Sequence, residues 1–411
     1  MKKYSFILII IVFFMLYYPP LFKINVLHII GGISCIYIII NKKAISNRIN
    51  MRKIAKIYLL FILLSIYLFI IAFVNGNSYK IVATYLYWMV DIISACIVVN
   101  NICLRKKYTE TDFITLLLIV GNIQGVLSLL AFLNPEFQSL FIETMIAYGF
   151  EEKYRDLAYF RLYGVSSNLT FSTPIVQSML AMVAVYLSIE ENLKYMILVP
   201  LLIFSAVTNA RSAFIIILIG LVMIFFYSCK FDMRKIPRII IIITLSIVCF
   251  ITMINVIKSG FVETYEWIDT GIKEIKLFLK GDATGYFTYV TDQDKYTMPS
   301  GLSFFFGKGT RVLGGSKYYF SSDVGWVNDI WTGGIIYSVI IYSFFCKKLH
   351  EIYRHESESV NLNKFLASFL FGILFVANFK GPIFESNEVI TVIFLLWLFI
   401  INKPTISRRA I

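Results

Sequence analysis

The chain has 411 residues, 58% of them apolar and only 15% charged, with a net charge of +13. A soluble domain carries about a quarter charged residues; here the mean hydropathy is +0.76 and the excess is spread over many long apolar runs. This excludes a soluble domain with a single anchor and indicates an all-α, polytopic integral membrane protein, in which surplus Lys and Arg report topology rather than a nucleic-acid surface.

Met1-Lys-Lys and the apolar run that follows, to Tyr18, mimic a secretory signal. No A-x-A-like cleavage site follows, and Pro19-Pro20 leads into another apolar run, so the stretch reads as the first membrane helix. Each span needs about 20 apolar residues. About twelve are expected: roughly 4–18, 22–41, 57–75, 81–99, 113–133, 173–189, 195–209, 212–228, 239–257, 327–346, 365–380 and 387–402. Alternate connections, with the termini, hold 23 basic residues, including Lys42, Lys43, Arg105, Lys106, Lys235, Lys347 and Lys348. The opposite short connections hold four: Lys23, Lys80, Arg211 and Lys380. The positive-inside rule then places both termini in the cytoplasm. The whole chain, 1–411, reads as one membrane domain without internal repeats.

Two outer loops are long, 134–172 and 258–326, the second lying between spans 9 and 10. Long loops in compact proteins tend to be functional. The second opens on Phe261 to Lys280, where apolar residues recur near helical spacing among Glu and Lys; this is either an amphipathic helix at the outer interface or an ordinary packed loop helix. It ends on Phe306-Gly-Lys-Gly309, Arg311 and Ser322-Asp-Val-Gly-Trp326, which feed directly into the tenth span.

The six cysteines have no metal or redox spacing, and only three histidines exist, so neither a metal nor a cofactor is expected. Gly307-Lys-Gly-Thr310 is not a phosphate-binding loop for nucleotides, because Leu302 stands where its lead glycine belongs. Asn168-Leu-Thr170 is a glycosylation sequon by pattern alone.

Arginine suits phosphate oxygens through its planar fork. Arg161 lies late in the first long loop and Arg211 in a very short outer turn; with Arg311 and Lys380 they form a candidate diphosphate-binding set. The alternatives are that Arg161 pairs with Asp156 or Glu152 and that Arg211 and Lys380 snorkel to the surface. Asp323 suits a general base for a hydroxyl, or a helix N-cap. Asp329 is a second, weaker choice. Asp91, in mid-span, reads first as a polar contact between helices.

At these residues the chain resembles the superfamily of O-antigen polymerases and ligases, polytopic membrane glycosyltransferases. Arg161-Leu-Tyr-Gly164 through Pro174 resembles its Arg-x-x-Gly segment, and Thr208-Asn-Ala-Arg211-Ser212 its arginine turn, with Asn209 in a usual serine position. Phe306-Gly-Lys-Gly309 resembles its Phe-Gly-x-Gly, and Ser322-Asp-Val-Gly325 through Gly333-Gly334-Ile its polymerase-type Ser-Asp-x-Gly. The ligase branch usually has histidine where Asp323 stands, which favours a polymerase. The resemblance implies a metal-independent, nucleotide-independent transfer of glycan from polyprenyl diphosphate to the non-reducing end of another lipid-linked repeat unit. It would occur at the outer face of the cytoplasmic membrane. Asp323, Arg211 and Arg161 would be catalytic, and membrane lipid, a flippase and a chain-length regulator would be partners, with no nucleic acid. A polysaccharide flippase is the rival from another class, although many transporters are built from repeats and none is seen here.

Overall fold

A computed structural model of the chain describes residues 4–17, 19, 26–79, 81–82, 85–86, 89–148, 152–158, 160–166, 171–229, 235–282, 284–285, 288, 292–313, 321–356, 360–384 and 387–403. Lys23, Lys80, the sequon Asn168–Thr170 and the Gly/Ser/Tyr run 314–320 lie outside them, as does the side chain of Asp91.

The described residues form helices and no strands. In chain order these are α1 (Phe6–Tyr17), α2 (Val26–Ile40), α3 (Lys42–Ser46), α4 (Met51–Val74), α5 (Ser94–Arg105) and α6 (Glu110–Leu133). There follow α7 (Pro135–Ala147), α8 (Lys153–Ala158), α9 (Ser172–Glu190), α10 (Val199–Asn209), α11 (Ser212–Cys229) and α12 (Ile236–Gly260). The last are α13 (Val262–Leu279), α14 (Leu302–Phe306), α15 (Gly325–Arg354), α16 (Val360–Ala377) and α17 (Glu388–Ile401). Four of them, α4, α6, α9 and α15, are long and apolar enough to cross a membrane. Shorter apolar helices fall in most of the other expected segments; for 81–99 the apolar helix begins only at Ser94 and runs on to Arg105.

The chain divides into two compact units, each drawn from two stretches: Met1–Val26 with Thr111–Thr284, and Leu27–Glu110 with Gly285–Ile411. Each has one helix at its centre. In the first unit every residue of α9 from Ser172 to Ile189 is buried, and in the second so is α17 from Glu388 to Ile400. Both sequences are predominantly apolar, as a helix surrounded by other helices requires, and polar residues such as Gln177 and Ser178 are hydrogen-bonded.

Sequence chemistry explains the ends that bear on the site. Asn134 caps α7 through a bond from Glu136 N, with Pro135 at the first helical position, where its missing N–H is not needed. In α13, Thr264, Ile268 and Gly271 are buried, a spacing of four and three that turns one face inward. The stretch from Phe261 to Lys280 is therefore helical with one face turned inward, which fits both of its sequence readings.

Candidate functional site

In the first unit the loop after α8 carries Arg161 and the α10–α11 turn carries Arg211. Gln138 of α7 fixes the loop: its Nε2 donates to the carbonyls of Ala158 (2.8 Å) and Arg161 (2.6 Å), and its Oε1 accepts from Tyr163 N (3.2 Å). Leu162 N donates to Thr208 O at 3.1 Å, which ties the loop to the end of α10, three residues before Arg211. Two motifs almost fifty residues apart in sequence are thus joined by backbone.

Both guanidinium groups meet at Trp267 of α13. The Arg161 Cζ lies 4.9 Å and the Arg211 Cζ 5.0 Å from its ring centroid, and Arg161 also lies 5.6 Å from the Phe160 ring. Cations over an indole are attracted by its quadrupole. Arg211 donates from Nε (3.2 Å) and Nη2 (2.8 Å) to the Trp267 carbonyl and from Nη1 to Glu274 Oε2 at 3.1 Å. Gly271 lets its stem pass beneath α13, because a Cβ there would stand 2.7 Å from Arg211 Cδ. Arg211 is engaged by α13, and Arg161 makes no ion pair with Asp156 or Glu152 among the described residues. It is Arg155 that takes a carboxylate, that of Glu143.

The arrangement leaves hydrogen-bonding capacity unmet. Arg161 Nε is buried and has no hydrogen-bond partner among the described residues; Asn209, 1% exposed and two residues before Arg211, has none at either Oδ1 or Nδ2. Buried polar atoms are almost always bonded, so unmet ones call for a ligand or a functional explanation. Burial, together with the neighbouring Arg211 charge, pulls the Arg161 guanidinium below its ordinary pKa. Glu274 pairs with Arg211, and the charge of Arg211 in turn acts on Arg161. Anions with several oxygen acceptors are the ligands whose chemistry matches such a cluster.

In the second unit the candidate residues gather at the start of α15. Arg311 and Asp323 flank a backbone bridge, Ser322 N to Val312 O at 2.9 Å, and Val312 N donates to Asn328 Oδ1 at 3.0 Å. Lys380 lies in the turn after α16, whose Asn378 carbonyl accepts from Gly325 N at 2.7 Å. Asp323 is exposed. The N-cap residue of α15 is Val324, and no side chain caps there, so the cap reading of Asp323 is set aside. Asp329, by contrast, is 4% exposed; it accepts from Tyr342 Oη at 2.6 Å, Tyr342 accepts from Asn378 Nδ2 at 2.7 Å, and the Arg311 charge acts on it.

The Gly-rich motifs have a mechanical role here. α15 breaks at Gly334, whose φ of 73° favours glycine. The carbonyls of Trp331, Thr332 and Gly333 at the break accept from Lys308 N (2.7 Å), Gly309 N (2.9 Å) and Tyr67 Oη (2.9 Å). A Cβ on Gly307 would lie 2.6 Å from Gly334 N, so the two glycine motifs require each other. Beyond the break, α15 and α16 border an apolar groove of about 460 Å³ lined by Ile330, Phe345, Leu374 and Phe375, with Tyr342 and Asn378 among its few polar groups.

Trp267, Glu274, Tyr342 and Asn378 are not among the sequence-derived candidates. Trp267 and Glu274 are seven apart, on one face of α13, which is a legible spacing. Tyr342 and Asn378 reach Asp329 across a helix break and across a second helix, which leaves no local pattern. No known family model, curated protein or solved structure matches this chain.

Proposed function

We propose that this chain is a membrane glycosyltransferase of the O-antigen polymerase type. It moves a glycan from polyprenyl diphosphate to the non-reducing end of another lipid-linked repeat unit, at the outer face of the cytoplasmic membrane. The observation that carries this reading is the arginine pair on Trp267: two guanidinium groups share one aromatic platform, with Arg161 Nε and the Asn209 amide buried and unmet. A diphosphate offers the charge and the acceptor oxygens that this cluster is short of.

In the proposed reaction the bond between the anomeric carbon and the diphosphate oxygen breaks, and the electron pair leaves with the polyprenyl diphosphate. A glycosidic bond forms to an acceptor hydroxyl, whose proton passes to Asp323. Arg161 and Arg211 stabilise the charge that develops on the leaving group, as fixed cations at such a position do. Arg311 and Lys380 add positive charge at the start of α15, whose N-terminus itself favours anions. The groove between α15 and α16 suits an isoprenoid chain, being apolar and open. The energy resides in the sugar–diphosphate bond, so neither metal nor nucleotide is needed.

The topology belongs to the same proposal. The four long helices and the shorter apolar ones would all cross the membrane, giving twelve spans with both termini in the cytoplasm and the two long loops outside. A flippase would deliver the repeat units, and a chain-length regulator would set the product size. The test is a deletion strain. Single repeats on the final acceptor are expected; unattached lipid-linked polymer would indicate a ligase instead, and absence of outer-face repeat units a flippase.

A further inference from the structure

No Asp or Glu occurs in the first 90 residues, and the cations of that stretch are concentrated where α3 meets α4, in the second unit. Lys42, Lys43, Arg48, Arg52, Lys53 and Lys56 are all exposed. Ile45, Ile49, Ile54 and Ile57, each no more than 3% exposed, anchor this elbow, so the charged side chains turn outward. Arg48 Nη1 donates to Asn101 Oδ1 at 3.2 Å and Asn101 Nδ2 to Tyr37 Oη at 3.0 Å, which joins the elbow to the ends of α5 and α2. Arg105, about one turn after Asn101, is exposed as well and extends the array.

None of these cations has an ion pair among the described residues. Two carboxylates of the same unit, Glu110 and Glu351, are already taken by Lys403 and Lys348. Like charges so close repel one another, and Arg52 and Lys53 stand in the first turn of α4, where the helix dipole is positive too. Orientation in a membrane asks only for an excess of cations in a loop; a fixed outward array without carboxylates asks for anions from outside. The adjoining surface selects their kind. Ile39 and Ile40, each 75% exposed, precede the elbow, and Leu59 and Leu63 follow it on α4, which is long and apolar enough to cross a membrane. A nucleic acid or an acidic protein would leave that apolar surface bare. A phospholipid covers it with acyl chains and sets its phosphate against the cations, as lipids do at Lys/Arg clusters beside membrane helices.

We infer that the α3–α4 elbow is a binding surface for anionic phospholipid headgroups, with Lys42, Lys43, Arg52, Lys53 and Lys56 set against their phosphates. On the proposed topology these headgroups belong to the cytoplasmic leaflet. The transfer reaction plays no part in this; the surface needs only that α4 lies in a bilayer.

Full-length protein in a non-ionic detergent is titrated with fluorescent phosphatidylglycerol and with fluorescent phosphatidylcholine of the same acyl chains. Phosphatidylglycerol is expected to bind at least about tenfold more tightly, a gap that closes as salt rises from about 0.1 to about 1 M and the screening length falls from about 10 to about 3 Å. Lys42→Gln with Lys43→Gln, and separately Arg52→Gln with Lys53→Gln and Lys56→Gln, should each narrow the gap at least about threefold. All five side chains are exposed, so the unfolding midpoint of both variants in phosphatidylcholine nanodiscs should match the parent's. Lys194→Gln with Lys276→Gln and Lys280→Gln removes exposed charge in the other unit and should leave the gap as it is. No preference in the parent, a gap kept by either elbow variant, an equal loss in the control, or displacement of phosphatidylglycerol by polyuridylate would each overturn the surface.

Discussion

Arg161 and Arg211 place their guanidinium carbons 4.9 and 5.0 Å from the ring centroid of a single tryptophan, Trp267. Two like charges gather on one ring only where something offsets their repulsion. The ring quadrupole, the Trp267 carbonyl and Glu274 supply part of that offset. In the proposed function a bound anion would supply more of it.

Asn209 separates packing from function. An amide buried with both ends unmet costs roughly 1–3 kcal/mol. Asn209→Leu is therefore expected to raise stability by about 1 kcal/mol, read as a higher unfolding midpoint in detergent, while shortening the glycan. A less stable variant that keeps full polymer would show that Asn209 serves the fold alone.

Glu274 holds Arg211 through a 3.1 Å ion pair and, on the proposed function, would compete with the diphosphate for it. A partly buried pair of this kind is worth about 1 kcal/mol, or about fivefold in affinity. Glu274→Gln should bind inorganic pyrophosphate about fivefold more tightly in a calorimetric titration. Unchanged or weaker binding would mean that Glu274 orders the site rather than occupying it.

The broken helix depends on Gly334. At φ 73° a side chain is strained, and a Cβ would lie 2.1 Å from the Phe305 carbonyl oxygen. Backbone strain alone costs on the order of 1–3 kcal/mol, so Gly334→Ala should lower the unfolding midpoint sharply. Gly32→Ala is the control: Gly32 is helical with open space around it, and its replacement should be neutral or slightly stabilising. Equal midpoints for the two variants would contradict the proposed interlock of the glycine motifs.

His355 gives the pH dependence. Its Nε2 is buried without a hydrogen-bond partner among the described residues, and burial holds its pKa below the ordinary 6.5; Glu110 opposes the shift, while Lys403 and Lys53 add to it. The unfolded chain therefore binds this proton more readily than the folded one, so stability is present above the unfolded value and falls as the pH drops through and below it. The unfolding midpoint should fall between about pH 7.5 and pH 5.5, and fall less in His355→Gln. An equal fall in both proteins would remove His355 as a source.

Much of this was legible in the sequence. The apolar runs locate the helices, because a membrane helix must satisfy its backbone within itself and so needs an unbroken greasy stretch. The two arginines stand out because charge at a helix edge is costly. Other parts were not. Asp323 suited either a base or a cap, and only the turn, which puts Val324 at the cap position, bears on that choice. Asp329 looked secondary because its partner Tyr342 lies beyond a break that only the Gly307–Gly334 contact reveals. The role of Arg155 was hidden in the same way: its carboxylate comes from the preceding helix, not from the nearer Glu152 or Asp156.

The most direct test of the central claim is the surface glycan ladder of a deletion strain complemented with Arg211→Ala or Arg211→Lys at matched membrane expression. Long chains should disappear with Ala and return at most partly with Lys, because an ammonium lacks the planar fork. A full-length ladder from Arg211→Ala would contradict the account.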